Sequence, residues 1–513
     1  MRLADLLPEG GASDRVALAS GARSVTYREL ARSAAALAAD LEEAGLCRGD
    51  RIASCLPNSI EAVVLELAAA MAGLAVLGVP VGARAHELTS VLTAGCPAAV
   101  AYPEGQWGDE AQAVFGPAVA AGRLRRLPMP AQAAGPPGRS EAVGRGPAGR
   151  GDALDPVRLF ATSGTTQNPK IVVHTQDEIA WHAREAALAL QLGPDDVMLC
   201  ALPLQGVFGH TSLWTILAAG GVAVLEPAFE AQACARAIAR SGATCLFGSD
   251  TMLLRLLALP DAKTLMGSLR WAGFAAFSGP ARDLVDAAGR MLALPVFQVY
   301  GSSEAQALTA AWAPGDPPGT RRVAGGRLVD RDIEARVVDP ASGRVLPAGE
   351  TGELHLRGRS LFRAYLGNAQ ATADALSGGW YRTGDLARLA ADRAVVFEGR
   401  LADRLRLGGY LVDPREIEEV VSAHPSVREA QVVSAAEPGQ RDVAVAFVRL
   451  VGAPPGEAEL RAWCESRLAR HKIPRRFFAV DAFPLARGPN GDKIQRAVLR
   501  AWAREGIRDG ERT

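Results

Sequence analysis

Apolar residues recur along this chain in two patterns, one with a helical period and one in short unbroken runs. Thr26-Tyr-Arg-Glu29 pairs a hydroxyl and a carboxylate as a capping box does, and Leu30, Leu37 and Leu41 then share one helical face. A second box, Thr175-Gln-Asp-Glu178, opens a helix expected to run to about residue 190. Between the boxes, 51–56 and 75–79 read as buried strands around a helix at 60–72, and 159–161 reads as a strand entering a loop. This alternation predicts an α/β fold with largely parallel sheets. Further on, 333–338, 352–357 and 394–398 look like strands of a more β-rich section. After residue 400 a compact α+β unit is expected, with a helix at 414–423, strands at 429–434 and 442–450, and a helix at 457–470. The expected organisation is a large N-terminal domain of α/β subdomains with a β-rich section, residues 1–400, and a small α+β domain, residues 401–513. Residues 131–155 are rich in Gly, Pro, Ala and Arg without a period and read as a mobile segment or linker.

A chain of 513 residues needs more than one core. Its 56 acidic and 56 basic residues cancel, so no global field draws it to nucleic acid or an anionic membrane. The longest apolar runs, 67–81 and 213–225, contain glycines and fall short of the roughly 18 residues of a membrane span. Seven cysteines without a Cys-x-x-Cys pair suit reduced thiols and a cytoplasmic location. The stretch from Met1 to Pro8 has no apolar core, so no secretory signal is expected.

The most informative segment is Thr162-Ser-Gly-Thr-Thr-Gln-Asn-Pro-Lys170. Ser163, Thr165 and Thr166 supply hydroxyls, and Gly164 lets the backbone approach a ligand closely. Successive backbone N–H groups in such a turn form an anion-binding nest, which the Lys170 ammonium completes. The segment is not a Walker A loop, because Pro169 precedes the lysine and Ile171 follows it. Lysine is scarce in this chain, at positions 170, 263, 472 and 493 only. A compact ammonium reaches a single phosphate oxygen where a planar guanidinium does not fit as well, which singles out Lys170 and Lys493. Lys263 reads as solvated surface and Lys472 as structural.

Further segments complete a pattern. They are Gly-Asp-Arg-Ile at 49–52, Val-Tyr-Gly-Ser-Ser-Glu at 299–304, Gly-Glu-Leu-His-Leu-Arg-Gly at 352–358 and Trp-Tyr-Arg-Thr-Gly-Asp-Leu at 380–386. Gly-Arg-Leu-Ala-Asp-Arg-Leu-Arg-Leu-Gly-Gly-Tyr at 399–410 and Asn-Gly-Asp-Lys-Ile at 490–494 follow. In order and spacing, over nearly the whole length, the chain resembles the adenylate-forming superfamily of acyl- and aryl-CoA ligases, luciferases and peptide-synthetase adenylation domains, and looks closest to the acid–CoA ligases. The resemblance implies ATP and Mg²⁺, with CoA as co-substrate. It assigns Lys170, Glu304 and Lys493 to catalysis, with Glu304 holding the metal. It assigns Thr162, Ser163, Gly164, Thr165, Thr166, Gly279, Tyr300, Gly301, Ser303, Asp385, Arg400 and Gly409 to nucleotide or cofactor binding. Tyr300 would stack on adenine, Asp385 would accept from the ribose diol, and Arg400 would reach ribose or phosphate oxygens. Lys493 would bridge substrate carboxylate and α-phosphate as pyrophosphate leaves. The C-terminal domain would then swing about residues 400–403, bringing Gly408, Gly409 and Tyr410 to the active site.

The chain departs from the family in places. Gly206 stands where a gating His is usual, with His210 further on, and Ala402 stands where the hinge often has Asp or Lys. Gln167 and Ile171 replace two glycines of the phosphate loop. No Asp falls at 205–210, which argues against an α-amino acid substrate. The expected acyl pocket comprises Val207, Phe208, His210, Ser249, Asp250, Phe277, Ser278 and Gln298, whose mixed aromatic and polar walls suit a small aryl acid or a medium acyl acid. Asp250 could pair with an amino or hydroxyl substituent, but reads more readily as an N-cap of the helix that follows. The expected reaction is ATP-dependent formation of an acyl-adenylate and transfer to CoA. Two alternatives keep the scaffold, a diazotase that activates nitrite for an aryl amine and a stand-alone enzyme that loads a carrier-protein thiol. The expected partners are a small-molecule acid, with a carrier protein in the latter alternative, and neither nucleic acid nor membrane.

Overall fold

The computed structural model describes residues 1–105, 108–127, 151–161, 170–276, 281–407, 410–435, 442–452, 454–486 and 493–510. Both capping boxes form. Thr26 accepts from Glu29 N and starts the helix Tyr27–Glu43, and Thr175 accepts from Glu178 N and starts Gln176–Ala189. Ser59 caps the helix Ile60–Ala72, and Gly73 ends it at φ +72°, a torsion that favours glycine.

Two sheets dominate the N-terminal part. One has seven strands, with Pro156–Ala161, Ala75–Gly78, Arg51–Ser54, Ala99–Ala101 and Arg125–Arg126 in parallel. Beyond Pro156–Ala161, Ile171–Thr175 runs antiparallel to it, and Ala364–Tyr365 forms the edge antiparallel to Ile171–Thr175. The second sheet has fourteen strands. Its parallel half includes Val222–Leu225, Val197–Cys200, Cys245–Ser249, Trp271–Ala275 and Val296–Tyr300. Its antiparallel half runs through Gly325–Leu328, Ala394–Arg400, Trp380–Leu389, Gly352–Arg357 and Glu334–Val338. The expected alternation and the β-rich section are therefore both present. One core joins the two sheets, with Ile52, Val76 and Phe160 from the first in the same cluster as Cys200, Phe247 and Phe297 from the second.

Beyond residue 404 the apolar residues form two clusters of their own, one around Ile417, Val432 and Leu460 and one around Phe447 and Leu499. They cover a three-stranded sheet of Val427–Ala435, Val443–Leu450 and Arg476–Ala479. The chain thus has a large N-terminal and a small C-terminal domain. One expected helix is shorter than its apolar pattern suggests. Glu457–Glu465 stops before residue 470, where Ser466 Oγ bonds the Trp463 carbonyl at 3.0 Å and competes with helix propagation. Lys472 pairs with Glu416 at 2.6 Å, which agrees with a structural role. Of the expected linker, residues 151–155 are held to the body, with Asp155 buried and bonded to Arg48 Nε at 2.8 Å. Residues 131–150 lie outside the described residues.

Charged side chains tie the two layers together inside the core. Arg158, on the apolar strand Pro156–Ala161, and Glu66, on the helix Ile60–Ala72, are both buried and pair at 3.0 Å. Arg158 Nη2 also donates to the Leu204 carbonyl at 2.7 Å and to Gln205 Oε1 at 3.1 Å. Glu66 further bonds His210 Nε2 and accepts from Trp214 Nε1 at 3.2 Å, both on the helix Val207–Ala218. A Cβ on Gly78 would lie 2.6 Å from the Gln205 carbonyl and 2.7 Å from Arg158 Nη2, so glycine lets this packing close. Burial pushes the Glu66 carboxyl up, but His210 and Arg158 outweigh it and hold the group at about 2. Burial pushes His210 down, with the Glu66 carboxylate working against that shift.

Removing one partner of a buried pair strands the other charge. Glu66→Leu is expected to cost about 3–5 kcal/mol in urea unfolding, and the double variant Glu66→Leu/Arg158→Met much less. The native pKa of Glu66 lies below its ordinary value of 4.5. Its contribution is therefore complete above that value and is lost as pH falls toward about 2. Across that window the wild type should lose stability more steeply than Glu66→Gln, measured as unfolding free energy against pH.

Candidate functional site

Four adjacent parallel strands, Val197–Cys200, Cys245–Ser249, Trp271–Ala275 and Val296–Tyr300, end at one edge of the large sheet. In open α/β sheets, ligands bind at such carboxyl ends. Tyr300 is the last residue of its strand and is buried. Its hydroxyl donates to Asp385 Oδ2 at 2.6 Å, and its ring stacks on Phe397 with centroids 5.5 Å apart. Asp385 and Arg400 are register partners on antiparallel strands, and Arg400 Nε lies 3.0 Å from Asp385 Oδ1. Burial and then the Asp385 charge push the Tyr300 phenol far up, so it remains a hydrogen-bond donor. For Arg400, burial works downward, but Asp385 together with Tyr300, Tyr381 and Glu304 outweighs it and raises the guanidinium further. The expected nucleotide residues Tyr300, Asp385 and Arg400 thus form one unit, in which Asp385 is buried and Arg400 extends toward solvent.

The turn after Tyr300 carries Glu304. A Cβ on Gly301 would lie 2.0 Å from the Ala307 carbonyl, so only glycine lets the turn fold back so tightly. The Glu304 carbonyl accepts from Phe362 N at 2.8 Å, and Glu304 Oε1 accepts from the Tyr365 hydroxyl at 2.8 Å. Lys170 Nζ stands 4.8 Å from the centroid of the same Tyr365 ring. One tyrosine therefore brings together the lysine that ends the hydroxyl loop and the candidate metal-holding carboxylate. Ser303 accepts at its carbonyl from His174 Nε2 at 2.8 Å. Among the described residues no three His, Cys, Asp or Glu side chains are grouped to hold a metal ion. A single carboxylate beside a polyphosphate site suits Mg²⁺, which binds through one or two carboxylates, phosphate oxygens and water.

Of the residues expected in the acid pocket, Ser249 ends its strand at that edge and Gln298 lies two residues from the end of its own. Val207 and Phe208 begin a helix whose N-cap is Gly206, and Phe208 packs on Phe247 at 5.5 Å. Phe247, Trp271 and Phe297 continue an aromatic row at 5.3 and 5.4 Å. Gly273 sits between two of these rings, where a Cβ would come within 2.4 Å of Phe247. Gln298 is buried and donates to the Arg322 carbonyl. Ser249, rather than Asp250, caps the next helix by accepting from Met252 N at 3.2 Å. Asp250 occupies the first helical position, is buried, and accepts from Thr251 N at 2.9 Å. His210 is committed to Glu66.

Residues Thr162, Ser163, Gly164, Thr165, Thr166, Phe277, Ser278, Gly279 and Gly409 lie outside the described residues. Lys493 pairs through its backbone with Ala486. In the expected hinge, Leu401–Asp403 form a single turn, and Asp403 pairs with Arg500 of the last helix at 2.8 Å. Sequence reading missed Tyr365, Phe397, Glu66, Arg158 and His174. A lone arginine within the apolar strand Pro156–Ala161 was a signal for Arg158. Tyr365 and Phe397 carry no local signal, because antiparallel pairing and loop packing alone bring them to the site.

Known proteins share this arrangement. The AMP-binding enzyme family matches residues 9–366, and the AMP-binding enzyme C-terminal domain matches 416–488. A 2-succinylbenzoate–CoA ligase of Geobacillus kaustophilus is 32% identical over 476 residues, 92% of each chain. A feruloyl-CoA synthase of an Amycolatopsis species is 30% identical over 481 residues, 91% of this chain and 92% of that one. Among solved structures, ATP-bound MatB of Rhodopseudomonas palustris superposes with a TM-score of 0.83 at 27% identity, covering 98% of this chain and 99% of that one. The amide bond synthetase McbA of Marinactinospora thermotolerans gives 0.81 at 28%, covering 98% of each. With a shared fold, matched domains over most of its length and relatives named as CoA ligases, the chain belongs to the AMP-binding, adenylate-forming enzymes and is of the acid–CoA ligase type.

Proposed function

We propose that this enzyme activates a small aryl or medium acyl carboxylic acid with ATP, releases pyrophosphate, and passes the acyl group to CoA. The observation that carries the reading is that the Tyr300–Asp385–Arg400 unit and the Glu304–Tyr365–Lys170 contact stand together at the end of Val296–Tyr300. In the first step a carboxylate oxygen bonds the α-phosphorus while the bond to pyrophosphate breaks. Lys170 and the hydroxyls of 162–166 receive the phosphates. Arg400, anchored by Asp385, presents its guanidinium to ribose or phosphate oxygens. Glu304, oriented by Tyr365, would hold Mg²⁺, which shields phosphate charge when bound. Lys493 stabilises the charge that builds between carboxylate and α-phosphate. In the second step a thiolate attacks the acyl carbon and AMP leaves. We place the pivot between these steps at residues 400–403, with 401–513 as the moving domain.

A second reading, transfer to an amine in place of CoA, is favoured by one feature. Gly206 leaves no imidazole at the position where the family has its gating His, and the structural relative McbA is an amide bond synthetase.

Pyrophosphate exchange into ATP should depend on one organic acid from a panel of benzoates, cinnamates, their amino derivatives and medium-chain fatty acids. Exchange with nitrite and with none of these acids would replace the proposal by the diazotase alternative. Lys493→Ala should slow exchange by about 10²–10³-fold, the usual loss for one group that stabilises transition-state charge. The same variant should still convert a supplied acyl-adenylate to thioester, followed as AMP release. Equal loss of both half-reactions would exclude a role confined to adenylation.

A further inference from the structure

His174 lies on the strand Ile171–Thr175, just after Lys170, and is completely buried. No role in binding or chemistry has been derived for it above. Its contacts reach across to the turn that holds Glu304. Nε2 is 2.8 Å from the Ser303 carbonyl, and Nδ1 is 3.0 Å from the amide nitrogen of Gln306. A carbonyl only accepts, so Nε2 carries the proton. Nδ1 then accepts from the Gln306 amide. The Glu178 carboxylate, 3.4 Å from Nδ1, already accepts from Thr175 N at 2.9 Å. Nε2 donating to Ser303 and Nδ1 accepting from Gln306 thus meet both hydrogen-bonded partners of the ring.

The turn it grips is one that needs gripping. Gln306 and Ala307 both adopt left-handed torsions, φ +65° and +57°, which cost a side-chain-bearing residue free energy. Gln306 is buried, and among the described contacts its side-chain nitrogen is met by His174. Phe160, on the strand that leads into the hydroxyl loop, packs its ring edge-on to His174 at 5.9 Å. The imidazole thus joins both strands flanking residues 162–170 to the residues on either side of Glu304.

We propose that His174 is a positioning residue that holds the 302–307 turn in its left-handed form and so sets Glu304 relative to Lys170. The inference rests on the adenylation reading only for its kinetic consequence. The structural claim stands without it. His174→Gln can present an amide nitrogen to the Ser303 carbonyl, whereas His174→Leu fills the space without a donor. The turn is read by amide hydrogen exchange of a peptide covering 299–312, with 443–450 as internal reference. His174→Leu should speed exchange at 302–308 by about tenfold or more while the reference is unchanged, as expected of local opening. His174→Gln should stay near wild type. In pyrophosphate exchange, His174→Leu should lower kcat by about 10²-fold, a typical effect of misplacing a reacting group by about an ångström, with KM for the acid little changed. His174→Gln should recover most of that loss. Wild-type hydrogen exchange in His174→Leu would overturn the proposal, as would equal effects of the Leu and Gln variants. A wild type that exchanges pyrophosphate with no panel acid would remove the adenylation reading alone, and hydrogen exchange would still decide the strut.

Discussion

The buried pair of Glu66 and Arg158 is the constraint on which the rest of the N-terminal domain is arranged. It lies where the seven-stranded sheet, its covering helix and the helix Val207–Ala218 meet. Each charged atom there would be costly to bury alone, and the set is tolerable because the charges cancel and Leu204, Gln205, His210 and Trp214 meet most of the remaining hydrogen-bonding capacity, although Arg158 Nε has no hydrogen-bond partner among the described residues. The geometry of an ion pair is narrower than that of apolar contacts, so the pair specifies where the start of the Val207–Ala218 helix must lie. That helix is the wall of the expected acid pocket. A polar network thereby sets the position of the buried aromatic row that begins at Phe208.

A comparable arrangement organises the nucleotide side. Tyr300, Asp385 and Arg400 come from three strands of the antiparallel half of the large sheet and its junction with the parallel half. Strand register places Asp385 opposite Arg400 and leaves Tyr300 to reach the pair through its hydroxyl. Glu304 is oriented through Tyr365, and the turn that bears it is gripped by His174. Asp385, Arg400 and Glu304 are therefore each held by protein neighbours, which is the preorganisation that electrostatic catalysis requires.

Comparison with the McbA fold and with the CoA ligases bears on the acceptor more than on activation. Of the residues proposed for adenylation, Lys170, Tyr300, Glu304, Asp385 and Arg400 stand in one region. The features that depart from the family, Gly206 and Ala402, lie at the positions proposed as gate and hinge, where a second substrate would be admitted. Asp403 is paired to Arg500 within the C-terminal domain, so the turn Leu401–Asp403 is tied at its far end to the body proposed to move.

The alternation of helical and strand periods, both capping boxes and the change of pattern after residue 400 were legible from sequence, because each is written in local spacing and local hydrogen bonds. So was the family, because its motifs are short and contiguous, and with it the candidate set of Lys170, Tyr300, Glu304, Asp385, Arg400 and Lys493. The premature end of the Glu457–Glu465 helix was not legible, since Ser466 acts through its own bond to a carbonyl one turn back. Nor were the supports of the site. Tyr365 meets Glu304 across 61 positions, Glu66 meets His210 across 144 and His174 meets Ser303 across 129. At those separations no periodicity links the partners. Only the packing of two sheets on one core brings them within hydrogen-bond reach, so the sequence by itself determined which chemistry the chain carries, and the tertiary structure decided what holds that chemistry in place.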